Sequence, residues 1–93
     1  MARPIRSHVF RGRRYTITSR LGKDAVGGCD GPPSVSGKEL SLKRGLKGIE
    51  LLTTAIHEGL HATNWDLDET TVDETSTDIA KFLWRLGFRQ IDS

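Results

Sequence analysis

A chain of 93 residues, 35% of them apolar, can build one small core but not two. Its single cysteine, Cys29, excludes an internal disulfide, and no apolar run is long enough to span a membrane. The net charge of +2 hides a strong asymmetry: residues 1–23 carry seven Arg or Lys and no acid, whereas residues 51–93 carry eight acids against three bases. A basic start without a following apolar segment gives no secretory signal, so a cytoplasmic protein is expected.

In chain order, residues 1–21 form a basic β segment. Phe10, Tyr15 and Ile17 favour extended backbone, and Gly12-Arg13 is positioned to turn a hairpin. Residues 22–37, rich in glycine and holding Pro32-Pro33, read as a loop. Cys29 within it has no Cys or His neighbour at metal-site spacing and reads as an inert thiol. Lys38-Glu39-Leu40-Ser41-Leu42 alternates polar and apolar, the pattern of a short strand with Leu40 and Leu42 on the core side.

A helix is expected from about Lys47 to Thr63, with Ile49, Leu52, Ile56 and Leu60 as its apolar stripe. Gly59 is unfavourable there by about 1 kcal/mol relative to Ala, which points to a packing reason such as close approach by another backbone. Asn64 fits a left-handed stop. A second helix begins between Asp68 and Thr71, where acids suit the helix dipole and Thr71 with Glu74 has capping-box spacing. Val72, Ile79, Leu83 and Leu86 form its expected buried stripe; Gly87 ends it, and Phe88 can pack back.

The first of these helices carries His57-Glu58-Gly59-Leu60-His61. Two histidines four apart project from one helix face, so both imidazoles can reach a single metal ion, and Glu58 beside them can take a proton from water the metal activates. Zinc, one ion per chain, suits these ligand types, although Mn, Co or Ni could also occupy such a site. A catalytic zinc wants a third protein ligand and an open position. No His follows His61; the sixth residue beyond it is Leu67, and Asp66 and Asp68 miss that register. A Glu from the second helix remains, and Glu74 is well placed, with Asp78 one turn on to accept the free N–H of a liganded His.

With His57-Glu58-x-x-His61 and Glu74-x-x-x-Asp78-Ile79, the chain resembles the zincin metallopeptidases, and within them the gluzincin branch that includes thermolysin-like enzymes. Its layout is also similar to small phage- or prophage-type metallopeptidases. The resemblance covers about residues 38–86, with a link from His61 to Glu74 shorter than in thermolysin-like enzymes. It implies an α+β, minimal zincin-like fold: a small twisted N-terminal sheet, an active-site helix and a C-terminal helix. It also implies zinc held by His57, His61 and Glu74, support of the first His by Asp78, and Glu58 as general base.

The expectation is therefore a single domain, 1–93, that hydrolyses peptide or protein substrates, with Leu40–Leu42 aligning an extended substrate by edge pairing. Tyr15, His8 and Asn64 are candidate oxyanion donors, and Trp65 could wall the cleft or, like Trp84, simply pack. Two other readings stand beside it. In one, zinc only holds together a thin core. In the other, Arg11, Arg13 and Arg14 bind nucleic acid or another acidic partner, although no aromatic interleaving supports this and a basic hairpin packed near acidic helices accounts for the charges.

Overall fold

The computed structural model describes residues 5–20, 27–29 and 38–90. Their order is β1 (Ser7–Phe10), β2 (Arg13–Arg20), β3 (Gly27–Cys29), β4 (Glu39–Lys43), α1 (Gly48–Thr63) and α2 (Glu69–Leu86). The fold is α+β: a mixed sheet followed by two packed helices.

β1 and β2 form the expected hairpin, with Phe10 opposite Arg13. The turn falls on Arg11-Gly12 rather than Gly12-Arg13, because both central residues of a two-residue primed turn need positive φ, and Arg11 and Gly12 have 48° and 79°. Part of the expected loop is a strand: Gly27–Cys29 pairs antiparallel with β4, and the rest of 22–37 lies outside the described residues. The sheet order is β1-β2-β4-β3, and β4 runs parallel to β2. Leu40–Leu42 therefore sits inside the sheet, both edges occupied, and has no free edge for a substrate strand.

Tyr15, Leu40 and Ala62 form the buried cluster between sheet and α1, flanked by Phe10, Ile17 and Leu42. α1 is covered on two sides, by the sheet and by α2, and its most buried positions step by four along a different stripe from the expected apolar one. Thr54, Glu58 and Ala62 are buried, whereas Ile49, Leu52, Ile56 and Leu60 are only half-buried. Gly59 faces a ring rather than backbone: a Cβ there would lie 3.7 Å from Phe10 Cε1, an ordinary contact. Asn64 closes α1 at φ −142°, not in the left-handed region, with its N–H donating to Leu60 O.

The face of α2 against α1 is Val72, Ser76 and Ala80, all buried. Of the expected stripe, Val72 is in place and Leu83 is half-buried, but Ile79 and Leu86 are exposed. Small residues at i, i+4 and i+8 let the two helices approach closely, and the larger side chains lie beside that seam. Asp68, not Thr71, caps α2: its carboxylate accepts from the Thr71 N–H at 2.7 Å. Gly87 stops the helix at φ 101°, with its own N–H and that of Phe88 donating to Trp84 O and Leu83 O, while the Phe88 ring stays exposed. Neither helix is long and apolar enough to cross a membrane.

Candidate metal centre

His57 and His61 stand one turn apart on α1, their rings 4.9 Å apart at 68°. The first turn of α2 brings Glu69 across them. Its Oε1 lies 2.8 Å from His57 Nε2 and its Oε2 lies 3.0 Å from His61 Nε2. One carboxylate thus spans the two nitrogens that a metal would take. One turn further, Asp73 Oδ1 lies 3.1 Å from His57 Nδ1. A carboxylate on the far nitrogen holds the proton at Nδ1 and leaves Nε2 as the metal-binding atom.

His57, His61 and Glu69 form the one group of metal-type ligands among the described residues, their ligand atoms all within 4.8 Å of one another. Two imidazoles and a carboxylate are the donor set of a catalytic zinc, and the residues therefore fit such an ion. Both imidazoles are half-buried, whereas Glu69 and Asp73 reach in from the exposed rim of α2, so the group opens to solvent on one side.

Glu58, next to His57 in the chain and within electrostatic reach of all three residues, is buried at 5% exposure. Burial pushes its carboxyl above the ordinary 4.5; the neighbouring His57 and His61 oppose the shift, and Glu69 adds to it. A carboxylate made more basic next to a metal-type cluster has the character of a proton acceptor.

Glu74 and Asp78 are exposed and stand outside the group. At about 100° per residue, Glu74 is turned about 140° from Glu69 around α2. The pair that contacts the histidines carries the same signal in the sequence: Glu69-Thr70-Thr71-Val72-Asp73 has the same Glu-x-x-x-Asp spacing, five positions earlier. The Asp68 cap puts Glu69 in the first turn of α2, at the level of the two histidines, whereas the gluzincin resemblance implied Glu74.

Other candidates have different surroundings. Tyr15 is buried in the sheet cluster, His8 packs edge-on against Phe10 at 4.8 Å, and the Asn64 amide donates to Thr63 Oγ1. Arg11 donates to Thr63 O at 2.7 Å, and the Arg11 and Arg13 guanidiniums lie 5.4 and 4.9 Å from the centre of the Trp65 ring. Arg14 donates to Ser7 Oγ. The basic hairpin is thus docked on the end of α1, and Trp65 is its platform.

No family model matches the chain, and neither curated proteins nor solved structures include a match to it.

Proposed function

We propose that the chain is a zinc-dependent metallopeptidase in which His57, His61 and Glu69 hold the ion, Asp73 orients His57 and Glu58 is the general base. The observation that carries this reading is Glu69 bridging both Nε2 atoms next to a buried Glu58 whose carboxyl burial makes more basic. When bound, the metal supplies Lewis acidity toward a scissile carbonyl and makes water easier to deprotonate. The chain's own residues do the remainder. Asp73 keeps the Nδ1 proton of His57 in place, Glu58 accepts the proton of the attacking water, and the same carboxyl then delivers it to the leaving amine. Lifting Glu58's pKa brings it nearer to the working pH, which favours both transfers.

The test is metal content and peptide hydrolysis of the wild type beside Glu58→Gln and His61→Ala. Glu58→Gln should keep about one equivalent of zinc and lose about 10²–10⁴-fold in rate, the usual worth of a general base. His61→Ala should lose both. Undiminished hydrolysis by Glu58→Gln would overturn the mechanism.

A structural zinc is the second reading, favoured by the small buried core of Tyr15, Leu40, Ala62, Val72 and Ala80. An ion joining α1 to α2 would staple the two helices. On that reading chelation unfolds the domain and Glu58→Gln changes nothing in function.

A further inference from the structure

Beside the α1-facing seam of α2, Ile79, Phe82 and Leu86 expose 39%, 62% and 60% of their surfaces. With Thr75 they step by four, three and four, the spacing of a coiled-coil seam, and form a stripe about 90° from the Val72-Ser76-Ala80 face. One flank of the stripe is charged in an ordered way. Glu74 and Asp78 come first, Lys81 and Arg85 follow, and all four are exposed. The other flank is closed by α1.

We infer that this face of α2 pairs with the same face of a second copy, antiparallel, about a two-fold axis near residues 80–81. In an antiparallel pair each flank meets itself with the order reversed. The acids of one copy then face the bases of the other: Asp78 meets Lys81 and Arg85, and Glu74 meets Arg85. The seam faces itself in the same register, with Ile79 against Phe82 and Leu86 against Thr75. A parallel pair would bring the charged flank against the flank closed by α1, so the charge order selects the antiparallel arrangement. Glu69 and Asp73 lie on the opposite side of α2 and stay clear of the contact, which leaves the metal group open in both copies.

A seam of one helix per copy is smaller than a standard interface of about 800 Å² per partner, so the dimer should be concentration-dependent rather than permanent. Sedimentation equilibrium of the whole chain over a wide concentration range tests it. The expected result is a monomer–dimer equilibrium weakened by about thirtyfold or more in Phe82→Glu, the cost of losing a central anchor, with circular dichroism unchanged. Asp78→Lys and Arg85→Glu should each weaken the dimer, and the double variant Asp78→Lys/Arg85→Glu should restore it. A monomer at every concentration overturns the inference and leaves the stripe to a different protein. A dimer indifferent to Phe82→Glu, or one not restored by the double charge swap, overturns the interface.

Discussion

Asp73 Oδ1 sits 3.1 Å from His57 Nδ1, on the edge of the ring opposite the nitrogen that meets Glu69. The contact fixes which nitrogen of His57 is free for a metal. Asp73→Ala should lower zinc affinity by about 10–100-fold, the usual loss when the carboxylate behind a liganded His is removed. Glu74→Ala and Asp78→Ala should leave it unchanged, since both point away. A competition titration with a chromophoric chelator separates the two outcomes, and equal effects at Asp73 and Asp78 would contradict this assignment.

On the proposed mechanism, Glu58 should govern the acid limb of activity. Its carboxyl is displaced upward from 4.5 by burial. A base works only when ionised, so the rate should fall as pH drops through that raised value, which lies above the pH where a solvated Glu would protonate. The same shift has an opposite consequence for the metal-free fold. Burial disfavours the charged form, so metal-free stability should decline as pH rises from 4.5 through the raised value. Glu58→Gln should lack that decline, as thermal melts of the chelated proteins would reveal.

Asp68 shows the reverse sign. Its pKa is lowered, first by the Thr71 backbone N–H and then by the Thr71 hydroxyl. The cap's contribution is fully present above 3.8 and disappears as pH falls through the depressed value. Asp68→Ala should therefore melt below the wild type at neutral pH and converge with it in strong acid. Asp68→Ser, which keeps a cap oxygen without the charge, should fall between them at neutral pH.

Gly59→Ala should stabilise the protein by about 0.5–1 kcal/mol, the helix-interior penalty of glycine relative to alanine. The added Cβ meets only Phe10 Cε1, at 3.7 Å. A chemical denaturation midpoint measures it, and a lowered midpoint would mean that α1 and β1 sit closer than this contact.

Arg13→Ala should destabilise by about 0.5–1 kcal/mol through loss of its stacking on Trp65, the worth of a partly exposed cation over a ring. Trp65→Ala should cost more, because it releases Arg11 and Arg13 together. Adding Arg13→Ala to Trp65→Ala should then cost little, a non-additivity that a double-mutant cycle reads directly.

Much of this architecture is written locally. The 3.6-residue period places His57 and His61 on one face, the start of α1 falls within a residue of its expected position, and Gly87 stops α2 because its left-handed backbone suits glycine. Phe10, Tyr15 and Ile17 mark the hairpin strands, and the α+β class follows from that order of elements. These features depend on residues within a few positions of each other, so the sequence alone suffices.

Three features depend on distant partners and were not legible in that way. Gly27–Cys29 has no strand pattern of its own and is extended because β4 offers it an open ladder. The parallel register of β4 on β2, which buries Leu40–Leu42 within the sheet, joins segments more than twenty residues apart. Most consequential is the rotation of α2. The sequence offers two Glu-x-x-x-Asp runs, Glu69 to Asp73 and Glu74 to Asp78, alike in composition and spacing. Packing decides between them: Val72, Ser76 and Ala80 bury the narrow side of α2 against α1. That seam turns Glu69 and Asp73 onto the histidines and leaves Glu74 and Asp78 in solvent, because a rigid helix can present only one face to its neighbour.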